Sequence, residues 1–387
     1  MSTQLFPSTS ELNDALRRLS EIDAPDLPVL SVYLDMRPQA TGQSPGRRAG
    51  LTVLRNRLRE IERTYWPRGA DYDSFQADEQ RIREYLDEDF DRAAAGVAVF
   101  ACSGVNLWQT VQAGVPFHDS VSAGPRPDLF QLARLIDEHE TAVVALVDSN
   151  TARLFVTRTG RLEEAEQLDE DSVSFQKRSL GGWSEQRYQR HIDKHIADFA
   201  RDSAAAIEEL LRREDARRLV LAGDEVAITP LSEALSQAVE QKVGEILRVD
   251  MRAAADELDE AVREALVSAE AESGRSVADQ LVAGVRSGGL AVSGVEATKR
   301  ALEAGAAEVV VIAGLPGATP EDSGYQDARD IGGQDMRELE PGGLDLDARN
   351  ELVRLAAATA AEVEVVAGHL GLEKLGGVGA LLRYRLG

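Results

Sequence analysis

Tyr188, Ile192, Ile196, Phe199, Ser203, Ile207 and Leu210 return at spacings of three and four, the period of one long helix with a buried stripe. Residues 141–148 and 152–157 before it, and 219–223 after it, read as short strands, the first two joined by a turn at Ser149-Asn150. A helix flanked by strands buries its stripe on the sheet those strands make, so this part of the chain reads as α/β. Arg187, Arg190, Lys194 and Arg201 fall on the other faces, where they meet water or a partner.

The remaining patterning divides the 387 residues into three segments, each long enough to bury its own core. Residues 1–127 read as an N-terminal α+β domain. It has a strand over 28–34, a basic helix from Arg47 to Arg68 carried by Leu51, Leu54, Leu58 and Ile61, and a hairpin folded about Ser103-Gly104. The stretch 122–127 has the turn chemistry of a linker. Residues 128–252, the middle domain, open with a helix over 129–139 and carry an acidic run over 163–171 before the long helix. Residues 253–387 form a C-terminal α/β domain. A long helical pattern (Leu258, Val262, Leu266) breaks near Gly274, and strands over 289–292, 308–313 and 362–366 alternate with helices over 295–304 and 346–361. Residues 315–346, rich in Gly, Pro and Asp, read as a long mobile loop.

Charge sharpens the middle segment. The chain is formally −24, a balance set against indiscriminate binding to nucleic acid. From Lys177 to His195, however, five Lys or Arg stand against Glu185 and Asp193 alone. Inside that basic stretch lies the pair Gly181-Gly182, free to take positive φ and to approach a ligand without a Cβ in the way. The stretch therefore reads as a basic-flanked finger suited to phosphate, or as a plain Gly-Gly loop capped by Ser184 ahead of an ordinary helix.

Several chemistries are set aside. One cysteine, Cys102, leaves no intrachain disulfide and no cysteine-based zinc site. His191 and His195 stand at i, i+4, but no glutamate lies between them as in a metalloprotease motif and no third ligand is nearby, so no metal is expected. No Walker A sequence or dinucleotide fingerprint occurs, so no cofactor is expected and a GTP-driven step needs a partner. No apolar run is long enough to span a bilayer and the first residues do not read as a leader, so no membrane partner and a cytoplasmic location are expected. The helix over 47–68 reads as a solvated amphipathic face or as a surface for ribosomal RNA.

Taken in order, these motifs resemble the archaeo-eukaryotic class-1 peptide-release-factor and Pelota superfamily. The likeness is greatest to its bacterial branch and to the peptidyl-tRNA hydrolases of ribosome quality control. Gly181, Gly182, Trp183 and Ser184, continued by Arg187 and Tyr188, match that superfamily's Gly-Gly-Gln-Ser loop and basic helix. The run 219–223 is similar to the strand that follows. Residues 294–306 and 376–384 look like the superfamily's kink-turn-binding-protein-like domain. The resemblance implies a ribonuclease-H-like middle domain, a ribosomal partner (rRNA and peptidyl-tRNA), a translational GTPase, and hydrolysis of the peptidyl-tRNA ester in the A site. By the same match, Lys177, Arg178, Trp183, Ser184, Arg187, Arg190 and Lys194 would contact RNA.

The departure falls at the reacting centre. Trp183 occupies the place of the loop glutamine, and an indole donates one N–H and accepts nothing. The nearest amide is Gln186, which with the backbone of Gly181 and Gly182 would orient water; otherwise Gln186 is a solvated residue of the first helical turn. A non-catalytic factor occupying the A site of idle or stressed ribosomes is the rival reading, and a stand-alone RNA-binding protein the third. Gly332-Gly333-Gln334 spells the release tripeptide outright, but Asp327, Asp330, Asp335 and Glu338 surround it, a poor setting for RNA phosphates.

Overall fold

The structure, a computed structural model, describes residues 6–38, 46–64, 69–148, 150–169, 185–251, 255–314 and 344–385, and the side chains of 169, 185–194, 255 and 256 lie outside what it describes. The described residues form a mixed α/β fold with three separate sheets. The described residues gather into two units, one made of 6–138 with 270–385 and one of 139–269.

In the first unit, helix α1 (Thr9–Ser20) opens on a capping box, in which Ser8 and Glu11 satisfy each other's backbone N–H. Strand β1 (Val29–Asp35) leads to α2 (Gly46–Glu62) and α3 (Ala70–Glu84), the latter running into a π-helical turn, Tyr85–Asp89. Strands β2 (Gly96–Cys102), β3 (Leu107–Ala113) and β4 (Ser120–Gly124) complete an antiparallel sheet in the order β3-β2-β1-β4. The expected hairpin about Ser103-Gly104 is present, with Asn106 closing it in the left-handed region at φ 56°. The expected linker at 122–127 is not one: Ser122, Ala123 and Gly124 pair with β1, and the chain turns only after them. β1 is buried along its whole length because cores lie on both of its faces.

The second unit follows α4 (Phe130–Glu138), which packs within the first. Strands β5 (Ala142–Val147), β6 (Thr151–Arg158) and β7 (Arg161–Asp169) form an antiparallel meander. The acidic run is thus strand over 163–169, with Glu164 and Glu166 exposed on a sheet edge where alternate side chains need no core. Helix α5 (Glu185–Arg213) crosses back to β8 (Arg218–Gly223), parallel to β5. After α6 (Glu225–Ala234) and α7 (Gln237–Glu240), β9 (Val243–Leu247) pairs parallel to β8. The order is β7-β6-β5-β8-β9. β5 and β8 are buried on both faces, by α5 and α6 on one and by Leu258 and Val262 on the other.

Helix α8 (Ala255–Ser287) runs unbroken through Gly274, against the expected interruption. An interior glycine costs only about 1 kcal/mol relative to alanine, less than the packing that Leu281 and Ala278 gain further along the helix. Strand β10 (Ala291–Ser293), α9 (Val295–Glu303), β11 (Ala307–Ala313), α10 (Leu346–Thr359), β12 (Glu362–Val366), α11 (Leu370–Lys374) and β13 (Val378–Leu382) follow. They build a mixed sheet in the order β10-β13-β11-β12, with β11 and β12 parallel. Phe130, Leu132 and Leu135 of α4 share one core with Leu352, Val353 and Ala356 of α10, which is why these distant stretches form one unit.

Candidate functional site

Sequence reasoning directs attention to the segment between β7 and α5 and to the first turns of that helix. Lys177, Arg178, Gly181, Gly182, Trp183 and Ser184 lie outside the described residues. Gln186, Arg187, Arg190 and Lys194 lie on the helical backbone of α5, with their side chains likewise outside. Gly332, Gly333 and Gln334 are outside as well.

The mount of that segment is described from His195 onward along α5. The predicted stripe is the buried face of α5: Ser203, Ile207 and Leu210 are sealed, and Phe199 packs on the same core. α5 returns antiparallel to β5 and β8, and Ile196 is level with Val147 and Asp148, at the carboxyl end of β5. The helical turns from 185 to 195 precede that level, a length of about 16 Å at 1.5 Å per residue. Carboxyl ends of parallel strands are where open α/β sheets place their ligands, since helix N-termini and loops converge there.

Beneath α5 lies a small, half-open pocket lined by Val147, Asp148, Ile196, Phe199, Ala200, Ser203, Ala227 and Leu231. Its walls are apolar except for two groups. One Asp148 oxygen accepts the N–H groups of Asn150 and Thr151, both at 2.7 Å, which holds the β5–β6 turn. The Ser203 hydroxyl, 1 % exposed, has no hydrogen-bond partner. Gly223, at the end of β8, sits at φ +134°, and a Cβ there would stand 2.0 Å from the Val147 carbonyl oxygen, so only glycine permits this close strand approach. At the opposite end of the sheet Arg158, 8 % exposed, bonds Glu163 at 2.9 Å and Glu214 at 2.5 Å, tying β6 and β7 to the turn after α5.

The other concentration of ionisable groups was not foreseen. Asp137 of α4, Glu270 of α8 and Glu364 of β12 each bring one oxygen within 4.8 Å of the others, the group of described residues with the spacing of metal ligands. Asp137 also accepts the Val365 N–H at 2.7 Å. Burial, then the charge of Glu364, pushes its carboxyl well above the usual range, so a retained proton relieves the repulsion. Three residues this far apart in sequence leave no spacing to read. His195 lies on α5, but the His191 side chain is outside the described residues, and so therefore is the i, i+4 pair.

Comparison with known proteins follows the same segment. Residues 127–271 match the model of bacterial archaeo-eukaryotic release factor family 10. The resemblance to the release-factor superfamily therefore holds over the stretch that carries α4, the five-stranded sheet, α5 and the first half of α8. Similar solved structures include the archaeal translation termination factor aRF1, 17 % identical over 98 % of this chain and 99 % of that one, with a TM-score of 0.27. Pelota of Archaeoglobus fulgidus is 15 % identical over 98 % of this chain and 94 % of that one, at 0.33. Dom34 of S. cerevisiae, described as a translation termination-like factor, is 11 % identical over 77 % and 83 %, at 0.41. No curated protein matches the chain. Among the described residues, no helix is long and apolar enough to cross a membrane.

Proposed function

We propose that this chain is a cytoplasmic, release-factor-like translation protein that binds the ribosomal A site and hydrolyses the peptidyl-tRNA ester. The single observation that carries the reading is that the release-factor family model covers the sheet and the helix that hold the Gly181-Gly182 segment. The strand order β7-β6-β5-β8-β9, an antiparallel meander followed by two parallel strands, supports a ribonuclease-H-like middle domain over 128–252. Residues 1–127 and 253–387 would be the N-terminal domain and the kink-turn-binding-protein-like C-terminal domain.

In this reading α5 is the stem and Gly181-Gly182 the tip. Two residues without a Cβ let the backbone N–H groups come close to the ester, and Gln186 offers the amide that orients water. Positioning of that kind is worth on the order of 7–11 kcal/mol of barrier when the attack is well aligned. Lys177, Arg178, Arg187, Arg190 and Lys194 would neutralise RNA phosphates, with Trp183 and Ser184 contacting RNA beside the tip. The reaction needs neither metal nor covalent intermediate. With no Walker A sequence, any GTP-driven delivery would fall to a translational GTPase partner.

Trp183 favours a second reading, in which the protein occupies the A site without catalysis, because an indole cannot accept a hydrogen bond from the attacking water. Ribosomes carrying labelled peptidyl-tRNA separate the two. Peptide release by the wild-type protein, lost in Gly182→Ala and reduced in Gln186→Ala, supports hydrolysis. Co-sedimentation without release supports occupancy, and no co-sedimentation at moderate salt removes both.

A further inference from the structure

α2 carries five arginines against two glutamates. Two of the five are spoken for within the fold. Arg47 lies over the Phe90 ring, 5.7 Å from its centroid, and Arg57 pairs with Glu60 at 2.8 Å. Arg48, Arg55 and Arg59, with Arg63 just past the helix end, are exposed, and their guanidinium groups have neither an ion pair nor a hydrogen bond among the described residues. At 100° per residue these four positions fall on one face within roughly a quarter of the helix circumference, along about 22 Å. The usual neutralising arrangement is absent from that face. Arg17, Arg83, Arg201 and Arg212, exposed on other helices, each meet an acid three or four residues away. The stretches flanking α2, 39–45 and 65–68, contain no acidic residue at all.

On a chain of formal charge −24 such a line of unpaired guanidinium groups is a local inversion of sign. Its geometry is held firmly. Leu54 and Leu58 are buried in the N-terminal core, and at Gly50 a Cβ would stand 2.9 Å from the Asp35 carbonyl oxygen, so the helix lies directly on β1. Because its apolar face is already buried, α2 has nothing to insert into a lipid surface. The arginine face carries no aromatic residue on which an unpaired base would stack. What remains is a rigid row of bidentate phosphate donors, the requirement for gripping the backbone of a structured RNA without reading its bases.

We propose that Arg48, Arg55, Arg59 and Arg63 form a phosphate-binding ridge for double-helical RNA, a second RNA surface separate from the Gly181-Gly182 segment. The choice of RNA as the polyanion rests on the ribosomal reading above.

The test uses the full chain and a variant with all four arginines changed to glutamine, a residue of similar helix propensity. Binding to a fluorescein-labelled RNA hairpin is titrated over a series of KCl concentrations, with ribosome co-sedimentation run in parallel and circular dichroism checking the fold. The expected result is weaker hairpin binding by the variant, with the dependence of log K on log [salt] about 3 units shallower. Equal affinity and equal slope overturn the ridge while leaving the ribosomal reading intact. Absence of wild-type co-sedimentation overturns that reading, and the hairpin titration then still decides the ridge. Loss of self-association, or of binding to phosphatidylserine vesicles, in place of RNA binding assigns the face to another partner and overturns the proposal.

Discussion

Asn350 of α10 caps a helix 220 residues away: its side-chain oxygen accepts the N–H of Leu129 at 3.0 Å and that of Phe130 at 3.1 Å. The first N–H groups of any helix lack intrahelical partners, and here a distant helix provides for those of α4. Asn350→Ala leaves them unmet and removes a bond that steadies Asp128, whose carboxyl burial already raises. The expected loss is about 1–2 kcal/mol of unfolding free energy in urea titration. A variant as stable as the wild type would show that the cap carries no weight.

Glu214→Ala tests the far end of the middle sheet. It strips the buried Arg158 guanidinium of its shorter partner, and Arg158 Nε already lacks one. Glu163, still at 2.9 Å, offsets part of the damage. Roughly 2–3 kcal/mol should be lost, the value of a hydrogen bond to a charged group in a sheltered place. Glu163→Ala should cost less, since that side chain is the more exposed of the two. The reverse ranking would mean that Arg158 is held chiefly from β7.

Such ties show where legibility in the sequence ends. The stripe of α5 and the strands beside it were readable because one residue type recurs at a local period, and burial bears out Phe199, Ser203, Ile207 and Leu210. β7 was hidden because an edge strand need not look apolar: Glu164 there is satisfied by the Arg153 guanidinium across the ladder, at 2.8 Å. Gly274 misled in the opposite sense, since its missing Cβ is used for packing; one placed there would stand 3.0 Å from a Glu364 oxygen. Neither the Asn350 cap nor the meeting of Asp137, Glu270 and Glu364 has any local signature, because tertiary contact alone creates them. The candidate site was readable only as a motif, from the glycine pair and its charges.

Asp119 gives a pH dependence of defined sign. Its carboxyl is pushed up to about 6, chiefly by burial, with the charge of Asp35 adding to the rise; the Asp35 N–H bond and Arg37 oppose it. A folded-state value above the unfolded one means the folded protein holds the proton more tightly. That contribution is complete below about pH 4 and is lost as the pH rises through 6. Asp119→Asn keeps the acceptor for the Asp35 N–H and removes the titration. The variant should flatten the stability profile between about pH 4 and 6 and raise stability at pH 7. An unchanged profile would place the raised group elsewhere.

The pocket under α5 yields the last prediction. An unpartnered buried hydroxyl costs about 1–3 kcal/mol, a cost that Ser203→Ala removes while deleting only one oxygen atom from the pocket wall. The urea midpoint should therefore rise, by the equivalent of about 1 kcal/mol after the lost packing is subtracted, with the m-value unchanged. Gly223→Ala, at the end of β8 in the same unit, has the opposite expectation, because its Cβ would meet the Val147 carbonyl oxygen at 2.0 Å and no flexible side chain is there to yield. A loss of several kcal/mol, or failure to fold, should follow, since both the overlap and the positive φ must be relieved by moving backbone. Should Ser203→Ala destabilise as well, the packing of the Ser203 side chain beneath the helix outweighs the cost of its unpartnered hydroxyl.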